Sequence, residues 1–213
     1  MAEVKEKPNV VALLGDVVSS RGSRREHVHE ALLAAISRTN ALVPHFDALR
    51  VTVGDEIQGV YGSLGDALEA AYLLNDELFG MAEMRFGLGG GDIRIIDEDR
   101  GIQDGNAWWL AREAIDFVED LARQSGYEGV RTAIRDERPQ ATPAADALTR
   151  LVDVHLASLK DGARRTLIGL LSGLDNAAVA HAQGISPSAN TQRVKNNDLR
   201  ALADALVALR TIP

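Results

Sequence analysis

Residues 10–16, Val-Val-Ala-Leu-Leu-Gly-Asp, constrain this chain more than any other stretch. An unbroken apolar run of this kind suits a central strand covered on both faces, and this one ends in a carboxylate. A second acidic end comes at residues 50–62. Arg50 to Val53 alternates polar and β-branched residues, and Ile57 to Tyr61 does so less strictly. The spacing predicts two short strands joined by a tight turn at Gly54-Asp55-Glu56. Two strand-end carboxylates, if adjacent in space, supply the hard oxygen donors that Mg²⁺ takes up together with a phosphate. Taken singly, Asp16 reads as a loop cap and Asp55 as a turn residue.

With 213 residues the chain has ample material for a hydrophobic core. It contains no cysteine, which excludes disulfides, zinc–thiolate sites and cysteine nucleophiles. That suits a reducing cytoplasm. No stretch approaches the roughly 20 apolar residues that span a bilayer, and the charged N-terminus does not read as a signal peptide. The expectation is a cytoplasmic protein without membrane insertion. Net charge is −8. Residues 146–213 hold eight Lys or Arg against six Asp or Glu, a balance of +2, which leaves −10 for the rest. An acidic front and a mildly basic tail predict two modules with different partners.

Following the first strand, residues 15–22 read as a loop of small residues whose backbone N–H groups can approach a ligand. Ser23 can cap a helix whose apolar stripe runs from Val28 to Val43. His27 and His29 on it are two apart, point in different directions and read as solvated. A second amphipathic helix is expected over 63–79. The run Gly89-Gly90-Gly91 admits two readings. It can be a bulge or turn between two strands, or a place where a ligand meets bare backbone. A third helix begins near Asn106, with Trp108 and Trp109 in its first turn. At least one of them is expected to pack in the core or a subunit contact, with stacking on a base as the alternative. A last strand is expected within 127–135.

Asp136 to Ala145, with two prolines and no apolar period, reads as a linker. Everything beyond it reads as helical. Ser186-Pro187 is a helix start signal, and Gly184 permits a turn before it. The helix that follows offers Ser188, Asn190, Thr191, Gln192, Arg193, Lys195 and Asn196, groups that bond to base edges and phosphates. Residues 170–197 resemble the helix-turn-helix of sigma-factor region 4 and related regulators, which implies DNA as a partner. The alternative is a small helical bundle used for dimerisation or docking.

In the front, four blocks appear in order: Val11 to Arg21, Thr52 to Gly59, Arg85 to Gly91, and Asp104 to Ile115. Together they resemble the SatD family, and more distantly the class III nucleotide cyclases and GGDEF diguanylate cyclases. The resemblance implies a ferredoxin-like, nucleotide-cyclase-like α/β sandwich over residues 1–135. A linker at 136–145 and an all-α helix-turn-helix domain at 146–213 would complete the chain. It implies a Mg²⁺ site at Asp16 and Asp55, with Glu56 as a possible third donor. It also implies a purine nucleotide held by Val17, Val18, Ser19, Ser20 and Arg21, with Arg112 as a further candidate. The sequence departs from the cyclase pattern. Val51 stands where the purine-reading lysine is expected. Trp109 and Glu113 stand where an asparagine and an arginine would stabilise the transition state, and Arg112 is one residue off.

The function expected from these residues is nucleotide-responsive DNA binding by a homodimeric transcriptional regulator. The alternatives are a nucleotide-processing enzyme (hydrolase or cyclase) with an accessory helical domain, and a protein-interaction adaptor.

Overall fold

The computed structural model describes residues 5–18, 25–52, 54–97 and 100–213. Its first six elements are β1 (Lys5–Val18), α1 (Arg25–Leu42), β2 (Asp47–Val51), β3 (Ile57–Tyr61), α2 (Leu64–Glu77) and β4 (Glu83–Asp97). The strands lie in the order β2-β3-β1-β4, every neighbour antiparallel. That is the ferredoxin-like βαββαβ arrangement. The apolar run is the buried central strand its composition calls for. Val11 and Leu13 point into one core with α1 and α2. Val10, Ala12 and Leu14 point into another with α3 (Asn106–Leu121). The result is a mixed α/β sandwich with helices on both faces.

Two expectations need correction. First, β1 does not end at Asp16. Val17 and Val18 remain in register with Met84 and Glu83 of β4, so they belong to the ladder and not to a loop. Second, the glycine run is neither a turn nor a bulge, because β4 passes straight through it. A Cβ on Gly87 would lie 2.2 Å from the Ala111 carbonyl oxygen, and one on Gly89 would lie 2.0 Å from that of Ala107. The backbone of α3 itself occupies the space a side chain would need. On the opposite face, a Cβ on Gly90 would meet the Asp136 carboxylate at 2.0 Å. The bare backbone therefore serves internal packing.

Beyond α3, β5 (Ile102–Asp104) and β6 (Thr132–Asp136) share one edge of β4. The first is antiparallel at its far half and the second parallel along residues 86–90. The free edge of β6 is covered by α4 (Pro143–Ser158). The Asp146 carboxylate accepts from the Ile134 N–H at 2.9 Å. Asp153 Oδ2 accepts from the Arg131 and Thr132 N–H groups at 2.9 and 2.7 Å. Edge N–H groups that would otherwise template another strand are satisfied in this way.

Four further helices follow: α5 (Asp161–Leu171), α6 (Asn176–Ala182), α7 (Pro187–Asn196) and α8 (Leu199–Arg210). Val152, Leu167, Leu202 and Leu206 join the same apolar cluster as Leu68 and Leu74 of α2. The connection between β6 and α4 is pinned. Arg138, 4% exposed, donates to both Asp136 carboxylate oxygens at 2.9 and 2.8 Å and to the Pro213 carbonyl at 2.9 Å. No helix among the described residues is long and apolar enough to cross a membrane.

Two measurements check this packing. Gly89→Ala is expected to cost roughly 3 kcal/mol in urea unfolding, because a helix backbone cannot give way. Gly126→Ala, at φ +90° in open space, should cost only about 1 kcal/mol. The second concerns Asp153, whose carboxyl is pushed up to about 7, chiefly by burial. The folded state then holds this proton where the unfolded chain has released it. The contribution of Asp153 to stability is fully present below about pH 4 and is lost as pH rises toward 7, at up to about 1.4 kcal/mol per pH unit. Asp153→Asn keeps the acceptor and removes the titration. Its stability relative to wild type should therefore climb between pH 4.5 and 7.5.

Candidate functional site

The register of the central strands assembles the candidate site. Gly15 pairs with Ile57 across β1 and β3, so Asp16 stands level with Glu56, one strand away. Such cross-strand neighbours lie about 5 Å apart and share a face. Asp55 is half-buried at the adjoining turn. All three sequence-predicted carboxylates therefore lie at one end of the sheet, and the partners of Asp16 and Glu56 place those two on the side covered by α3.

Two of them are held by arginines. Arg85, on β4 directly opposite Asp16, grips that carboxylate bidentately, Nε to Oδ1 at 3.0 Å and Nη2 to Oδ2 at 2.6 Å. Its Nη1 is 3.4 Å from Glu119 of α3. The bonds to Asp16 are the first cause holding the Arg85 pKa above its ordinary value. Arg112 of α3 donates to Glu56 at 2.8 Å. Helical spacing had turned Arg112 away from the position of the cyclase arginine by about 100°, yet it is this residue that reaches the hairpin. At the two positions matched to the cyclase asparagine and arginine, Trp109 is 67% exposed and Glu113 is bonded to Arg135 at 3.0 Å. Trp108 packs against the α3 core.

The donors are right in kind for a hard cation but are not arranged as a resident metal site. Among the described residues, no group of three metal-ligating side chains is close enough to hold an ion, and Asp16 and Glu56 already carry guanidinium partners. Val17 is turned into the core, 8% exposed, and with Val18 it is engaged in the β1–β4 ladder. Neither supplies a loop cradle. Ser19, Ser20 and Arg21 lie outside the described residues. The residue that the sequence reading missed is Arg85. Its signal was the charged first position of the block 85–91, but only the strand register reveals its partner.

In the tail, α7 starts as expected, with Ser186 Oγ accepting from the Ala189 N–H at 3.1 Å and Pro187 in the first turn. Gly184 adopts φ +64° in the preceding turn. The expected exposed face needs correction at two positions. Asn190 is 1% exposed and bonds to Thr166 and Asn176 at 2.8 and 2.9 Å. Arg193 donates to the Gly162 carbonyl at 2.9 Å and to Gln183 at 2.5 Å. Both side chains fasten α7 to α5 and α6 rather than facing outward. Ser188, Thr191, Gln192, Lys195 and Asn196 are exposed. His27 and His29 are exposed as well.

Comparison with known proteins finds a family match and distant structural likenesses. The SatD family model matches residues 10–205. No curated protein matches the chain. Among solved structures, the monomeric guanylyl cyclase domain of the RhoGC fusion protein from the aquatic fungus Blastocladiella emersonii is 18% identical. The alignment covers 54% of this chain and 78% of that one, with a TM-score of 0.43. The guanylyl cyclase Cya2 is 19% identical over 53% of this chain and 71% of that one, with a TM-score of 0.38. A regulator of polyketide synthase expression from Bifidobacterium adolescentis is 14% identical over 95% and 85%, with a TM-score of 0.29.

Proposed function

The chain belongs to the SatD family, and from that premise we propose that it is a nucleotide-responsive regulator whose sheet-end site takes a purine nucleotide as its magnesium complex. One observation carries the reading: Asp16 and Glu56 directly follow and precede the paired residues Gly15 and Ile57, and each is already paired with an arginine from another element. Glu119 joins the network as well, 3.4 Å from Arg85 and 2.6 Å from Arg123. A bare nucleotide anion must displace the carboxylate partners of Arg85 and Arg112, and a bare cation must displace the arginine partners of Asp16 and Glu56. A ligand bearing both signs exchanges one partner for each member of the pairs. Carboxylate oxygens meet the cation and guanidinium forks meet phosphate oxygens, the geometry arginine favours. With Trp109 and Glu113 in place of the charge-stabilising pair, the site binds without cyclising.

Isothermal titration of the intact protein with ATP and GTP tests this. Binding is expected only with Mg²⁺, weakened tenfold or more by Asp16→Asn or Arg112→Ala, with nucleotide recovered unchanged. Equal binding without Mg²⁺, or none, defeats the reading. A product whose formation Asp55→Asn abolishes replaces it with the enzyme reading.

The second part of the proposal concerns the module at residues 146–213. The inward anchoring of Asn190 and Arg193 holds α7 firmly while five polar side chains face solvent, and this supports a DNA-binding role for Ser188, Thr191, Gln192, Lys195 and Asn196. With a charge of only +2 in this module, a homodimer would supply the phosphate contacts that one copy lacks. Selection from random duplexes at low salt should retain a sequence. Gln192→Ala with Lys195→Ala should abolish retention without altering the circular dichroism spectrum. Retention of no duplex defeats this part and leaves the nucleotide site standing.

A further inference from the structure

On the face of the sheet away from α3, a cavity of 560 Å³ opens between the end of β1, the turn joining α2 to β4, α4 and the start of α5. Its walls are mixed, polar and apolar in about equal measure, with Val17, Val28, Phe79, Met81 and Leu156 among the apolar residues. Four charged residues line it: Glu83 and Arg131, which pair with each other, and Asp153 and Arg164, which are 3% and 8% exposed.

Asp153 and Arg164 each keep hydrogen-bonding capacity that no described residue takes up. The Asp153 carboxylate accepts backbone N–H groups at the edge of β6. Among the described residues, no cationic side chain lies within ion-pair distance of it. The Arg131 side chain, which also lines the cavity, is taken up by Glu83 at 2.5 Å. Arg164 gives its Nε to Asp76 at 3.0 Å and lies over the Phe79 ring at 4.3 Å. Its two terminal nitrogens donate to no described residue. A buried carboxyl, anionic above about pH 7, and an arginine with two free terminal nitrogens thus face one cavity.

The charges choose the ligand class. An anion alone would satisfy Arg164 and be repelled by Asp153, and a cation alone would meet the reverse. A neutral hydrocarbon would leave both unanswered. The volume falls in the range of about 300–1,000 Å³ of small-molecule sites, so a bulky apolar group can accompany the charged ones. We propose that this cavity binds a zwitterion of the amino-acid class. Its carboxylate meets Arg164, its ammonium meets Asp153, and its side chain lies against Phe79, Met81 and Leu156. Bound there, it touches the strand that carries Asp16 and two of the C-terminal helices. The site owes nothing to the nucleotide reading.

The test is thermal unfolding of the full chain with each proteinogenic amino acid at millimolar concentration, followed by titration calorimetry of those that stabilise it. Leucine or phenylalanine should raise the midpoint, as a ligand of the native state does. Phenethylamine and phenylpropionate, which each carry half of the charge pattern, should not. Asp153→Asn keeps the backbone acceptor and is expected to weaken binding about tenfold or more. Met81→Trp, at an exposed wall residue, should block binding by filling the chamber while leaving the fold intact. No shift with any amino acid overturns the proposal. So does an equal shift with either half-molecule, or binding unchanged in both variants.

Discussion

The close approach of α3 to β4 sets the geometry on which the sheet-end site depends. Gly87, Gly89 and Gly91 recur at the two-residue period of a strand and so bare one face of β4. At Gly87 and Gly89 the backbone of α3 rests directly on that face with no side-chain layer between. A helix seated this way has no slack along its axis. Arg112 and Glu119 are seven residues apart, about 10 Å along the helix. Their partners, Glu56 beside β3 and Arg85 on β4, are two strand spacings apart, also about 10 Å. The helix therefore reaches from one ion pair to the other, and the glycine pattern that seats it decides which charges meet.

The C-terminal helices are tied to the same sheet by contacts of a different kind. Asp146 and Asp153 use carboxylate oxygens in place of a neighbouring strand along the edge of β6. The Arg138–Asp136 pair is sunk over Gly90 and also holds the Pro213 carbonyl. A Cβ on Gly65 of α2 would lie 2.2 Å from the Arg210 carbonyl oxygen, and the Gly65 N–H donates to Ile212 at 2.9 Å. These attachments are polar and directional, and they add to the apolar cluster the C-terminal helices share with α2. A change at the strand ends is transmitted to such a layer through a few fixed bonds, which suits communication better than a loose tether would.

Much of this was legible in the residues. The apolar run, the hairpin with its acidic tip, the amphipathic helices and the Ser186-Pro187 start all express local rules of period and capping. What stayed hidden depends on register and on which face turns inward. The glycine run looked like a turn because bare backbone in one dimension gives no hint of a helix lying across it. Val17 and Val18 looked like a loop because small and β-branched residues after an aspartate fit either state, and only pairing with Met84 and Glu83 extends the strand. Asn190 and Arg193 share the chemistry of their exposed neighbours on α7, so composition could not separate anchoring residues from outward ones. Arg85 carried no motif that named Asp16.

The pairing of each site carboxylate with an arginine bears on what the site can do. A half-exposed ion pair contributes little to stability, so fold stability alone is a weak reason to place two such pairs side by side. Their effect is on selectivity. Each arginine lowers the attraction of its carboxylate for a lone cation, and each carboxylate lowers the attraction of its arginine for a lone anion. The penalty falls equally on both and is lifted only when both are answered together. On the proposed reading, a site so built would discriminate against simple ions and answer a ligand carrying a cation and phosphate groups at once. Catalysis requires more, namely donors that find no good partner until charge develops in the transition state. Arginines already satisfied in the ground state are poorly placed to supply that difference, which is the physical reason to regard this sheet end as a detector of its ligand.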